Sequence, residues 1–238
     1  MLVLGVDIAA RKDGTKNCGL ALIDGARLTA LDAPGDDLIW TQAIDGCDLA
    51  EVARVIGEAK VLGAYAADDR PRGVMLAIER QFPGTFSGAG PGTIEKLIGS
   101  RVRFETVATI RGVAFELVYP ASWQTILSLL GEDVPKKLSK PRKEKAPKRK
   151  KGAPAPEVEP AAAPKWIRDT KAAARLLVSR LYPGAVMGPD ECDALLLARF
   201  VAWRRRGEEK KPEWIASLHG AHAARRGGRS TRPVPPPR

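Results

Sequence analysis

Two short runs, LVLGVDI at 2–8 and GVMLAIER at 73–80, restrict what this chain can fold into more than any other feature. Each is apolar almost throughout instead of alternating, and each is only of strand length. Such a run is a strand covered on both faces, which calls for a sheet with helices on either side. CGLALID at 18–24 ends at the turn signal Asp24-Gly25 and leads into ARLTALDA at 26–33, so three consecutive antiparallel strands are expected. DLAEVARVIGEAKVLG at 48–63 sets Leu49, Val52, Val55 and Ile56 at helical spacing. That helix is the crossover that makes the strand at 73–80 parallel to its neighbour.

A Gly-rich loop, FPGTFSGAGPGT at 82–93, leads to a helix carrying Ile94, Leu97, Ile98, Arg101, Val102 and Val107 that stops near Gly112. VAFELVYP at 113–120 reads as a strand, and SWQTILSLLG as a helix from a cap-like Ser122 to Gly131. Helical pattern returns in WIRDTKAAARLLVSRLYPG at 166–184 and again after Gly188, with Trp166 and Trp203 read by default as core residues and otherwise as stacking ones. The expectation is an α/β fold: a mixed five-stranded sheet, three antiparallel strands then two parallel ones, flanked by helices. Residues 135–164 are rich in Lys, Pro and Ala without apolar periodicity, and are expected to be a disordered insertion in a domain spanning 1–203. Residues 204–238 form a basic C-terminal tail.

The formal charge of +11 is unevenly placed. Ten Lys or Arg lie between Lys136 and Lys151 against Glu144, and ten more between Trp203 and Arg238 against three Glu, so the remainder carries about −5. A mildly acidic core with two basic appendages points to nucleic acid, with acidic membrane surfaces or a solubilising role as alternatives. Cys18, Cys47 and Cys192 form no CxxC and lie near neither His, which argues against a disulfide framework or a structural zinc site. No stretch is long and apolar enough to span a membrane, and MLVLGVDIAA lacks the basic n-region of a signal peptide, so a cytoplasmic protein without a membrane partner is expected.

MGPDECDALLLARF at 187–200 loads the mouth of an apolar helix with Asp190, Glu191 and Asp193. Acids there can cap the helix and meet its dipole, with Asp190 as cap and Asp193 three residues on. Asp193 also precedes Leu196 and Leu197 by three and four residues, so it turns toward the apolar side, where a bare carboxylate is costly. Asp7 ends the first strand and Glu79 the strand at 73–80; if the two are adjacent and parallel, both project from one carboxyl edge of the sheet. Four such carboxylates repel unless a cation joins them. Oxygen-only ligation selects Mg²⁺ or Mn²⁺ over zinc, and a pair of such ions suits phosphodiester chemistry.

Together these residues resemble a known family. GVDIA with Asp7, AIERQF with Glu79, and DECDALLLA with Asp190 and Asp193 look like the catalytic signature of RuvC-type Holliday junction resolvases, within the RNase H-like superfamily. Asp169-Thr170-Lys171 before a helix, then Tyr182-Pro183-Gly184 and the D-x-x-D-A helix, is similar to the resolvases of phages and their bacterial relatives. The resemblance covers residues 1–131 and 166–203, leaving out insertion and tail.

It implies an RNase H-like fold and a structure-selective endonuclease acting on Holliday junctions or other branched DNA. Asp7, Glu79, Asp190 and Asp193 would hold two Mg²⁺ ions, with Mn²⁺ as substitute, and a homodimer would present the helix at 94–108 as interface. Phe82 matches an aromatic that stacks on junction bases; otherwise it is a core residue at a strand end. Lys171 matches a lysine near the scissile phosphate; otherwise it is a solvated helix residue. Arg80, Arg111, Lys148, Arg149 and Lys150 are further DNA-contact candidates. Where many relatives carry another lysine after the fifth strand, this chain has YPASWQT with Trp123 and Gln124, and Arg111 or the insertion would have to supply that charge.

Other readings compete. DIAARKDGTKNCGLALID resembles the first phosphate loop of sugar-kinase and actin-type ATPases, but no second such motif follows and no G-x-x-x-x-G-K-[ST] loop occurs. An RNA–DNA hybrid hydrolase or transposase-like nuclease would share the ligands. A non-catalytic nucleic-acid-binding protein would have no use for all four acids.

Overall fold

The computed structural model describes residues 1–9, 18–65, 72–80, 91–138 and 166–206. Phe82 and Lys148, Arg149 and Lys150 lie outside the described residues, as does most of the Gly-rich loop. Five strands, β1 (Leu2–Ile8), β2 (Cys18–Asp24), β3 (Leu38–Ile44), β4 (Val74–Glu79) and β5 (Ala114–Val118), form one sheet in the order β3-β2-β1-β4-β5. β1, β2 and β3 are antiparallel, while β4 pairs parallel with β1 and β5 parallel with β4. This is the mixed sheet expected of an RNase H-like chain.

The helices are α1 (Leu49–Ala64), α2 (Pro91–Ile110), α3 (Pro120–Trp123), α4 (Thr170–Leu181) and α5 (Pro189–Arg205), with a 3₁₀ stretch Gln124–Asp133 after α3. Asp48 caps α1 by accepting from the N–H groups of Ala50 and Glu51, which is why that helix begins where it does. Strand period 2 sorts the central residues onto two faces. Leu2, Leu4, Val6, Ile8, Leu76 and Ile78 bury against α1 and α2. Val3, Met75 and Ala77 bury against α4, α5 and the 3₁₀ stretch. Gly5, Asp7 and Glu79 share the second face by the same alternation.

α5 is buried nearly all round from Asp190 to Ala202, as a helix lying across the middle of a sheet must be. It seats there because β1 and β2 present glycine at the crossing. A Cβ on Gly5 would strike the carbonyl oxygen of Ala194, and one on Gly19 would strike the backbone of Asp190. Those two missing side chains bring the first turn of α5 down onto the end of β1.

Five local expectations are corrected. The third strand is 38–44, not 26–33, so β2 and β3 are joined by a long excursion instead of a hairpin. Residues of that excursion cannot ladder because the buried Arg199 guanidinium takes the carbonyls of Ala30, Leu31 and Ala33, and Leu28 and Leu31 turn into the core. Ser122 is not a cap: α3 starts at Pro120, which suits a first helical turn, and gives way to 3₁₀ geometry up to Gly131 at φ 57°.

The expected insertion at 135–164 begins with a strand, β6 (Lys136–Leu138), paired antiparallel with β7 (Trp166–Arg168), so 166–168 is strand and not helix. Trp166 is exposed on that ribbon and not in the core, whereas Trp203 packs against the core. Finally, Arg204 and Arg205 belong to α5 and pair with Glu116 on edge strand β5, so these two cations are not tail. Among the described residues, no helix is long and apolar enough to cross a membrane.

Candidate active site

At the carboxyl ends of β1 and β4 lies an open cleft of about 490 Å³, lined by Asp7, Ile8, Ala9, Glu79, Trp123, Gln124, Thr170, Lys171, Pro189, Asp190 and Asp193. Each acid arrives by a different local cause. Asp7 and Glu79 are the last inward-facing residues of two strands in parallel register, where Val6 lies opposite Ile78. Asp190 and Asp193 sit three apart in the first turns of α5, so both turn to the strand ends that α5 crosses.

Neither of them caps the helix. The N-cap is Gly188, whose N–H donates to the Glu191 carboxylate at 2.5 Å. Glu191 therefore does the capping that the sequence suggested for Asp190, and Asp190 is left with its side chain in the cleft.

The acids crowd one another. Asp7, Asp190 and Asp193 are 5%, 5% and 8% exposed. Burial, then the hydrogen-bonded and charged neighbour Glu79, hold the Asp7 carboxyl well above the ordinary aspartate range; Lys171 pulls the other way. Burial and the Asp7 charge push Asp193 up to about 7, again against Lys171.

Lys171 is the counter-charge. Its ammonium donates to Asp190 Oδ1 at 2.7 Å and lies 3.4 Å from Asp193 Oδ2. Burial disfavours that ammonium, but the hydrogen bond to Asp190 and the charges of Asp193, Asp7 and Asp190 outweigh it and hold its pKa above the usual lysine range. Asp169, the N-cap of α4, fixes the turn that delivers Lys171.

The structure thus brings Asp7, Glu79, Asp190, Asp193 and Lys171 to one cleft. Arg80 sits beside it, its backbone N–H on the carbonyl of Val118 and its guanidinium over the Tyr119 ring. Arg111 does not belong: it precedes β5 at the opposite edge of the sheet, against Gly57 of α1, so it cannot supply the charge expected after the fifth strand.

What occupies that place is Trp123, whose indole N–H donates to Glu79 Oε1 at 3.3 Å. In the sequence Trp123 stands out only as a departure from lysine; a buried Trp usually finds a partner for its N–H, and that is the signal that points to Glu79. A second omission is Arg199, a lone cation in LLLARFVAW. It is fully buried, paired with Asp37 at 2.9 Å and hydrogen-bonded to the Tyr182 hydroxyl at 2.6 Å.

The resemblance implies a divalent cation, and the donor chemistry fits one. All four acid side chains offer oxygen, no His or Cys lines the cleft, and burial together with neighbouring acids raises Asp7 and Asp193, so the charged forms would be favoured by a cation. With the side chains as they stand, no three acids among the described residues form a ready cage, because the Lys171 ammonium engages Asp190 and Asp193.

Neither a protein-family model nor a curated protein sequence matches the chain. Among solved structures it is similar to T. thermophilus RuvC in complex with Holliday junction substrate, at 16% identity over 87% of this chain and 97% of that one, TM-score 0.47. It is likewise similar to Thermus thermophilus RuvC alone, at 17% identity, 87% and 97% coverage and TM-score 0.43. The yeast mitochondrial Holliday junction resolvase Ydc2 aligns at 13% identity over 91% of this chain and 84% of that one, TM-score 0.38.

Proposed function

We propose that this chain is a divalent-metal-dependent endonuclease that hydrolyses phosphodiester bonds in branched DNA, four-way junctions foremost. The observation that carries this reading is the meeting of four carboxylates from β1, β4 and α5 with one lysine in an open cleft. A structural cluster would neutralise its charges internally; here four acids face one ammonium.

Asp7, Glu79, Asp190 and Asp193 would hold Mg²⁺ or Mn²⁺, one ion or two. Such an ion supplies Lewis acidity at a phosphodiester oxygen and offsets charge that builds up there. The chain's own residues do the rest. Trp123 fixes the orientation of the Glu79 carboxylate through its indole N–H. Lys171, half exposed, pairs with Asp190 and Asp193; were those acids to hold a cation, its ammonium would be free to meet a phosphate oxygen. The half-buried Arg80 extends positive charge along the rim next to Glu79.

Symmetric nicking of a junction needs two sites, so the reading includes a homodimer. Val102, 44% exposed on α2, is apolar surface that such a pairing would cover.

The test incubates the protein and its Asp193→Asn variant with a synthetic four-way junction, a linear duplex and an RNA–DNA hybrid, in Mg²⁺ or EDTA. Cleavage of the junction by the parent protein in Mg²⁺ alone, and its loss in the variant, is the expected result. Equal cutting by Asp193→Asn, or no preference for branched DNA, refutes the assignment.

A further inference from the structure

The ribbon β6–β7 stands beside the cleft with all six of its residues exposed. In its register Leu138 lies opposite Trp166 and Lys136 opposite Arg168. Opposed residues, and residues two apart, share a face of a strand pair, so these four side chains form one surface. Half of it is an aromatic with an aliphatic neighbour, Trp166 at 69% and Leu138 at 51% exposure. The other half is two cations directly opposite each other, a repulsive pairing that an antiparallel ribbon ordinarily avoids. Among the described residues neither cation has an ion-pair partner. Lys137, on the reverse face, is neutralised by Asp169 at 3.1 Å.

The ribbon is also fastened to the catalytic side of the molecule. The Asp169 N–H donates to the carbonyl of Pro135, which closes the base of the ribbon, and the same Asp169 caps α4. Arg168 is three residues from Lys171, so a chain distance of at most about 11 Å separates the cationic half of the ribbon from the residue whose ammonium enters the cleft.

We infer that this ribbon face is a nucleic-acid contact, with Trp166 stacking on an unpaired or splayed base and Lys136 and Arg168 on the adjoining phosphates. The inference rests on the nuclease reading and names how that site would select branched DNA. A base-stacking aromatic set next to paired cations is the combination that binds single-stranded nucleic acid, because every base offers a π-face and every nucleotide a phosphate. A linear duplex keeps its bases stacked and offers Trp166 nothing. The two like charges across the ribbon are relieved by the phosphates.

The experiment measures binding by fluorescence anisotropy in EDTA, so that cleavage plays no part. Full-length protein and its Trp166→Ala, Trp166→Phe and Lys136→Ala/Arg168→Ala variants are titrated against a four-way junction and a matched linear duplex. Trp166→Ala is expected to weaken junction binding about 5- to 100-fold, with duplex binding changed by less than about twofold, and Trp166→Phe to retain most of the affinity. The double variant is expected to reduce the slope of log K against log salt by about 1 to 2.

Wild-type junction affinity in Trp166→Ala overturns the proposal. So does a loss of affinity accompanied by a lower Tm or a changed oligomeric mass, which would mean that Trp166 packs on its own chain or on a second copy. Because binding is read without metal, unchanged cutting by Asp193→Asn would remove the nuclease reading while leaving this result standing.

Discussion

Asp193 carries a cost from burial and from Asp7 that Lys171 offsets only in part. Its carboxyl is pushed up to about 7, first by burial and then by Asp7, so the folded chain holds that proton more tightly than the unfolded chain does. Where a folded-state acid has a raised pKa, its unfavourable contribution is absent below the ordinary aspartate pKa and grows until the folded pKa is passed. In chelator, the Tm advantage of Asp193→Asn over the parent should therefore widen as pH rises from about 4 to about 7 and then level off. Adding Mg²⁺ at neutral pH should raise the parent Tm and leave the variant nearly unmoved. A constant gap across pH would show that Asp193 is not strained by its neighbours. Glu79 is tied differently, through the Trp123 indole N–H, which gives its carboxylate a fixed direction without adding charge.

Among the elements, α5 joins the cleft to the rest of the core. Asp190 and Asp193 stand at its mouth, and Arg199, two turns further on, gathers Asp37, the Tyr182 hydroxyl and three carbonyls from the segment between β2 and β3. Replacing Arg199 by Met leaves the Asp37 carboxylate buried without its cation and three carbonyls without that donor. A loss of about 3–5 kcal/mol is expected, measured by urea unfolding with the cleft residues intact. A loss below about 1 kcal/mol would mean that the segment is held by Leu28 and Leu31 alone.

The same segment marks where local pattern stops being a guide. β1 and β4, apolar except for Asp7 and Glu79 at their ends, announce themselves because burial on both faces leaves little room for polar positions. The true β3, LIWTQAI, lies at the sheet edge with mixed exposure and carries no such pattern, and ARLTALDA imitates a strand while its carbonyls serve Arg199. The ribbon partners are separated by the whole basic segment, so nothing local pairs Lys136 with Arg168.

At the scale of the whole molecule, charge is divided by sign. Four acids line the cleft, while Lys136, Lys137, Arg168 and the run from Lys140 to Lys151 fall on the chain segment that reaches it through Lys171. Replacing the eight Lys and Arg between 140 and 151 by Ser, with the ribbon retained, should lower the salt slope of DNA binding by about 0.9 for each phosphate that is no longer neutralised, and leave the preference for junction over duplex in place. An unchanged slope would make that run a spacer.

The residues of the chain by themselves determined four of the five strands, the identity of the four acids and the placement of each at a strand end or helix mouth, because period and polarity are local properties. Only the tertiary structure decided which glycines let α5 settle onto β1 and β2, that Glu191 and not Asp190 closes the helix, that Lys171 answers the acids, and that Arg111 lies at the far edge. Those outcomes depend on what two distant segments do to each other's volume and charge, and neither quantity exists until the segments meet.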